Sequence, residues 1–343
     1  MNHELNNKIN WGIIGCGDVT EIKSGPAFNK VKNSSLVAVM RRDAAKAKDY
    51  AQRHNVPKWY DNANALINDA DVNAIYIATP PSSHEEYTIA ALNAGKPVYV
   101  EKPMTVNVAS AKNMMNVANK KKVKLVVAHY RREQPMFKKI KQLLAEKIIG
   151  DIRFAKLEFL KRSLTKEELL IPKNAWRVDA AIAGGGLFYD LAPHQLDLMY
   201  YFFGEADTTN GIAINQQRLY NADDIFAGNI LFKSGVIFNG LWCFNVDENE
   251  EKDLCEIVGT KGKISFAVFG EPKIMTTVEG KKENFLFEPL QHVQQPMIEK
   301  VVDYFLDRGP NPCSAEEGVR VMEMMERMQE NLINDHRSDT LPY

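Results

Sequence analysis

Short apolar runs alternate with amphipathic stretches along the first part of the chain. Ile9 to Ile14, Leu36 to Met40, Ala74 to Ala78, Val98 to Val100 and Leu125 to Ala128 are compact and apolar. Runs of this kind fit strands covered on both faces. Helical stretches lie between them. Thr20 to Val31 reads as a helix bent or restarted at Pro26. Asp43 reads as the N-cap of an alanine-rich helix running to about His54. Ser83 to Ala94 reads as a helix stopped by Gly95. Strands alternating with helices predict a parallel sheet with right-handed crossovers, hence an α/β domain.

The rhythm changes after about residue 150. Ile152 to Phe159 alternates apolar and polar positions. Ile230 to Phe244 alternates around Lys233-Ser234-Gly235, and a second turn falls at Thr260-Lys261-Gly262. Strands joined by short turns predict an antiparallel sheet and an α+β character. We divide the chain into an α/β domain, 1–128, and an α+β domain, 129–343. A C-terminal helix, 314–333, is expected to pack back on the first domain. Ser314-Ala315-Glu316-Glu317 fits a capping box at its start. Its stripe of Val321, Met325 and Met328 is read as core packing.

Composition narrows the function classes. The 343 residues suffice for two domains, and 45% apolar content gives each a core. A net charge of −1 offers no electrostatic reason to expect nucleic acid or an anionic membrane. Lys120-Lys121-Lys122 and Lys138-Lys139 read as solvated helix faces. Cys16, Cys243, Cys255 and Cys313 stand alone, without metal spacing, and read as reduced thiols. No run approaches a membrane span, and the polar start lacks the apolar core of a signal peptide. The expected location is the cytoplasm.

The glycine loop Gly12-Ile13-Ile14-Gly15-Cys16-Gly17 sits between a strand and a helix, as dinucleotide binding requires. Gly15, Cys16 and Gly17, with Asp18 and Val19 after them, are the expected pyrophosphate contacts. Thr20 holds the third small position, so the fingerprint is partial. An acid after the second strand would bind a ribose 2′-hydroxyl. Met40-Arg41-Arg42-Asp43 stands there instead. Guanidinium groups at Arg41 and Arg42 suit a phosphate, so NADP(H) is expected, with NAD(H) the alternative. Thr79, Pro80 and His84 follow the run Ala74 to Ala78 and should border the cofactor, His84 as a positioning group.

Glu101-Lys102-Pro103 follows the buried run Val98 to Val100. A lysine at a strand's carboxyl end lies where open α/β sheets hold ligands. Further on, Gly184-Gly185-Gly186 precedes Asp190, His194 and Asp197 at helical spacing. Asp190 and His194 share a face, a carboxylate–imidazole arrangement suited to proton transfer. The aspartate is expected to orient the histidine and favour its charged form. Two other readings are open: a metal site from Asp190, His194 and Asp197, which lacks a second histidine or a cysteine to complete it, and a core histidine. Tyr130, Arg131, Trp176 and Arg177 are candidate substrate walls. For Arg131 and Arg132 a surface position is the competing expectation.

These motifs together, in this order behind an N-terminal glycine loop, resemble the Gfo/Idh/MocA oxidoreductases. Trp176-Arg177 is similar to the glucose–fructose oxidoreductase and dihydrodiol dehydrogenase branches. The resemblance implies a Rossmann domain followed by an open, mostly antiparallel sheet. That sheet usually serves as an oligomer interface, which implies a homodimer or homotetramer. It implies an NAD(P) lying against Glu101-Lys102-Pro103, whose Lys-Pro bond is often cis. It also implies Lys102 and His194 at the reacting oxygen, with Asp190 supporting them or touching substrate. The expected activity is hydride transfer between the nicotinamide and a sugar, polyol or related carbonyl compound. A glycosidase that retains its cofactor and a nucleotide-sensing regulator are the alternatives.

Overall fold

An apolar run without polar alternation needs cover on both sides, and the first sheet provides it. The computed structural model describes residues 7–330. β1 (Ile9–Ile14), β2 (Ser34–Met40), β3 (Lys58–Tyr60), β4 (Ala74–Ile77), β5 (Val98–Val100) and β6 (Leu125–Val127) form a parallel sheet in the order β3-β2-β1-β4-β5-β6. Every residue of β4, β5 and β6 is buried. The order reverses between β1 and β4, and a ligand crevice is expected above their carboxyl ends.

Local chemistry sets the helix ends. Asp43 caps the helix Ala44–Arg53, its carboxylate accepting from the Lys46 amide at 3.1 Å. The expected helix from Thr20 to Val31 is corrected. The chain forms a short helix, Asp18–Ile22, then a 3-10 turn, Gly25–Asn29. Gly25 makes the break, because a Cβ there would lie 2.2 Å from the Thr20 carbonyl oxygen. That carbonyl instead accepts from the Tyr50 hydroxyl at 2.8 Å. β3 escaped the pattern because it is a short edge strand with half-exposed side chains.

The second sheet contains β7 (Ile152–Arg162), β8 (Ala206–Ile214), β9 (Ile225–Phe232), β10 (Ile237–Val246), β11 (Lys252–Gly259), β12 (Gly262–Phe266), β13 (Lys273–Val278) and β14 (Lys281–Leu286). Its order is β14-β13-β12-β11-β7-β10-β9-β8. β7 and β10 run parallel, and the other neighbours are antiparallel. The inner face packs on the helix Gly186–Phe203, which carries the site. There Phe188 stacks on Phe226 at 3.9 Å and meets Trp242 edge-on at 5.1 Å. The Trp242 indole N–H donates to Gln195 Oε1 at 2.6 Å. The outer face leaves Phe154, Ile212, Ile214, Leu231, Ile237 and Leu241 exposed.

The last helix, Ala315–Gln329, starts with the expected capping box of Ser314 and Glu317. Residues 331–333 of the expected helix lie outside the described residues. It touches both sheets. The Cys313 carbonyl accepts from Val127 N at 3.1 Å, and Met328 fills the space above Gly211 and Gly228. Val321, Met325 and Met328 are buried. Among the described residues no helix is long and apolar enough to cross a membrane.

Candidate active site

The cofactor side begins at the turn after β1. Gly15 has φ +95, and a Cβ on it would lie 2.7 Å from Thr79 Cγ2. Only glycine lets this loop rest against the loop after β4. A Cβ on Gly17 would meet nothing closer than the Gly15 carbonyl oxygen at 3.9 Å, which leaves open space for a ligand against the backbone. Cys16 is buried, and burial pushes its thiol up to about 11, so it offers backbone rather than a thiolate. Asp18 is exposed, and Val19 is half-buried. Arg41 reaches back from the end of β2 to the Cys16 carbonyl at 3.3 Å, while Arg42 is exposed. Asp43 is occupied as a helix cap. These features fit a dinucleotide.

His84 is fully buried and joins two loops. Its Nε2 lies 2.7 Å from the Thr79 carbonyl, and its Nδ1 lies 3.1 Å from the Pro103 carbonyl. The segment Thr79-Pro80 and the Lys102-Pro103 turn, whose peptide is cis, are thereby held together. Glu101 faces inward. Its Oε1 accepts from the Tyr76 hydroxyl at 2.5 Å and from Gln294 Nε2 at 2.6 Å. Its Oε2 accepts from the Lys102 amide at 3.2 Å. This bonding fixes the backbone of Lys102.

Lys102 then crosses to the glycine-led helix. Its ammonium donates to the Asp190 carbonyl oxygen at 2.6 Å and to Asp190 Oδ1 at 3.0 Å. The same helix contains Pro193, which has no N–H to give the carbonyl four residues back. Arg177 Nε donates to the other carboxylate oxygen, Oδ2, at 3.0 Å. Its guanidinium lies over the Trp176 ring at 4.8 Å. Burial would raise the Asp190 pKa, but the Lys102 and Arg177 cations outweigh it and hold the carboxyl below its ordinary value.

The expected Asp190–His194 pair is not formed. Both carboxylate oxygens belong to cations, and His194 Nδ1 is buried without a hydrogen-bond partner among the described residues. Tyr130 and Phe269 wall the imidazole edge-on at 5.1 and 5.5 Å. The expectation of a charged histidine is reversed. Burial first, then the positive charges of Lys102 and Arg131, push its pKa well below the ordinary value. His194 is therefore a neutral base over the neutral range.

Arg131 and Arg132 are not surface residues. Arg131 donates to the Val268 carbonyl at 2.5 Å and lies over Phe269 at 4.4 Å. Arg132 is 2% exposed and bidentate on Asp197, Nη2 to Oδ1 at 2.6 Å and Nε to Oδ2 at 2.9 Å, with a further bond from Nη1 to Glu317 Oε1 at 2.7 Å. Asp197 is thus taken up by an arginine that joins the strand-end turn, the site helix and the last helix. Pattern reading missed this pair because charged residues near strand ends are more often solvated. It also missed Gln294 and Phe269, which reach the site from distant segments.

Comparison with known proteins fits this geometry. Residues 9–129 match the oxidoreductase family with NAD-binding Rossmann fold, and residues 137–265 match the GFO/IDH/MocA C-terminal domain. Oxidoreductase P35 of Formosa agariphila is 47% identical over 324 residues, covering 94% of this chain and 98% of that protein. The chain belongs to the Gfo/Idh/MocA oxidoreductases. Mouse trans-1,2-dihydrobenzene-1,2-diol dehydrogenase is 29% identical over 281 residues, covering 81% of this chain and 80% of that protein. Levoglucosan dehydrogenase in complex with NADH shares the fold, with a TM-score of 0.84 at 20% identity over 94% of this chain and 96% of that one. The protein is an oxidoreductase of the dehydrogenase/reductase kind with an NAD-binding fold.

Proposed function

We propose that this oxidoreductase interconverts a C–OH and a C=O centre on a sugar, polyol or related carbonyl compound, with Lys102 and His194 on the reacting oxygen. One observation carries the reading. The Lys102 ammonium docks on Asp190, one helical turn before a buried imidazole whose Nδ1 has no partner among the described residues. The nicotinamide, when bound, supplies or accepts the hydride. In oxidation, neutral His194 takes the hydroxyl proton. In reduction, negative charge grows on the carbonyl oxygen, and the Lys102 ammonium stabilises it. Asp190, itself braced by Arg177, holds Lys102 in place. Tyr130, Arg131 and Trp176 wall the substrate. The names of the diol and levoglucosan dehydrogenases favour a cyclic polyol or sugar.

NADP(H) is the preferred cofactor in this reading, because Arg41 directly follows β2 and the nearest carboxylate, Asp43, is committed to a helix cap. The cofactor unit is 1–128 and the substrate and assembly unit 129–343. The exposed apolar face of the second sheet is the interface of a homodimer or homotetramer. Four buried thiols without a disulfide suit the cytoplasm.

The test is a fluorescence titration with NADPH and NADH, followed by a panel of sugars and cyclic diols in both directions. Tighter NADPH binding with turnover on one sugar or diol is expected. Tight binding with no turnover on any of them overturns the reading in favour of a sensor or a cofactor-retaining hydrolase.

A further inference from the structure

Gln294 is fully buried, and the helix it precedes does not account for it. It is the N-cap of the helix Gln295–Phe305, a position where Asp, Asn, Ser or Thr bonds the first free amides. The Gln294 side chain makes no such bond. It turns instead to the ends of β4 and β5, where its amide has partners of opposite kind. The oxygen accepts from the Tyr99 hydroxyl at 3.0 Å. The nitrogen donates to Glu101 Oε1 at 2.6 Å and lies 3.4 Å from the Tyr76 hydroxyl. A side-chain amide supplies both the acceptor and the donor that these two places need. The backbone presenting it is held from three sides. Gln294 N donates to the Lys23 carbonyl at 3.2 Å, and Gln134 Nε2 donates to the Val293 carbonyl at 3.1 Å. His292 Nδ1 lies 2.6 Å from the Ile22 carbonyl.

The other oxygen of that carboxylate, Glu101 Oε2, accepts from the Lys102 amide at 3.2 Å. The backbone ladder stops one residue earlier, where Glu101 N donates to the Ile77 carbonyl at 2.9 Å, and Pro103 has no N–H to continue it. The backbone of Lys102 is therefore oriented by one side chain. That side chain rests in turn on two neutral donors, Tyr76 and Gln294. Without the Gln294 N–H, a buried carboxylate is left underbonded and turns from the Lys102 amide toward other donors.

We propose that Gln294 is a positioning residue for the reaction, holding the Glu101 carboxylate at the angle that aims Lys102 at Asp190 and the reacting oxygen. This rests on the reading of Lys102 given above. Gln294 acts through Glu101 and does no chemistry itself. A side chain that only tied the segments together would need to fill the space, whereas positioning needs the N–H. Gln294→Glu separates the two. It keeps the shape and the acceptor for Tyr99, and it donates to Glu101 only while it carries a proton. As pH rises that proton is lost, and two facing carboxylates repel.

The experiment measures kcat, KM and NADPH affinity against pH for the native protein, Gln294→Glu, Gln294→Met, Tyr99→Phe and Lys102→Ala, each first checked for folding by circular dichroism. Hydrogen exchange of the Lys102 amide is followed by mass spectrometry on the same proteins. Gln294→Met should lower kcat about tenfold or more at every pH, the scale of a hydrogen bond to a charged group, with NADPH affinity little changed. Gln294→Glu should keep most of the native kcat at acid pH and lose it as pH rises, a limb the native profile lacks. Tyr99→Phe, which leaves the bond to Glu101 in place, should lower kcat less than Gln294→Met. Exchange of the Lys102 amide should quicken about tenfold or more in Gln294→Met, and in Gln294→Glu only at high pH, each against the native protein at the same pH. Native kcat in Gln294→Met, or a Gln294→Glu profile of native shape, overturns the proposal; a Lys102→Ala protein that has lost turnover shows that the oxidoreductase reading still stands. If Lys102→Ala keeps its turnover, or no compound is turned over, that reading fails and the exchange arm decides. Native protection of the Lys102 amide in Gln294→Met then defeats the proposal. If Gln294→Met does not fold, the pH dependence of kcat and exchange in Gln294→Glu decides in its place.

Discussion

The two sheets treat their faces differently. The parallel sheet is sealed on both sides along β4, β5 and β6, whose residues are all buried. The second sheet is covered on one face and open on the other, where Ile212, Leu231, Ile237 and Leu241 meet solvent. The first therefore contributes backbone and a few strand-end groups, such as Gly15, Thr79 and Lys102, held by the frame. The second domain contributes charge-bearing side chains from a helix and loops resting on its inner face. The proposed chemistry lies at the seam, where Lys102 meets Asp190.

The seam should be the most sensitive place in the molecule. Arg132→Met removes the cation from a buried pair and leaves Asp197 uncompensated, which should cost about 3–5 kcal/mol in denaturant unfolding. A loss under 1 kcal/mol would mean that the seam is not a shared structural element. Lys102→Ala leaves the frame intact but removes the stabilising ammonium. Its turnover should fall by about 10²–10³ with cofactor affinity little altered. Unchanged turnover would move the chemistry elsewhere.

Acid tests the same seam. His129 and His194 are both buried and held well below the ordinary histidine value, first by burial and then by neighbouring cations. An unfolded chain binds their protons at about pH 6.5, and the folded one only further down. Stability should therefore be complete above that value and fall as pH drops through the folded values. Thermal unfolding from pH 8 to pH 5 measures this, and a flat profile would contradict neutral, buried imidazoles. The acid limb of the oxidation rate should likewise lie below pH 6.5, for the same reason.

Smaller effects are expected away from the seam. Arg41→Ala should weaken NADPH about tenfold more than NADH, as expected for loss of a charged hydrogen bond. Equal losses would remove the phosphate contact. Leu241→Lys, on the open face, should change stability by no more than about 0.5 kcal/mol yet shift the assembly toward monomer in light scattering. An unchanged mass would show that this face has no partner copy.

Much of the frame was legible because its signals are local. Buried parallel strands are apolar runs, and Asp43 and Ser314 are caps, fixed by near neighbours in the chain. The sequence by itself determined the strand–helix order, the glycine loop, the strand-end lysine and the glycine-led helix with Asp190 and His194 on one side. It could not say who pairs with whom. Helical spacing put Asp190 beside His194, but spacing is blind to cations arriving from Lys102 and Arg177, far along the chain. Those cations took the carboxylate, while burial first and then Lys102 and Arg131 hold the His194 pKa well below its ordinary value. Arg132 and Asp197 were likewise joined only by packing of the site helix on the turn after β6. Pairing, burial and proton affinity are decided by long-range contacts, because a charge responds to the groups within a few ångströms of it, whatever their distance in sequence.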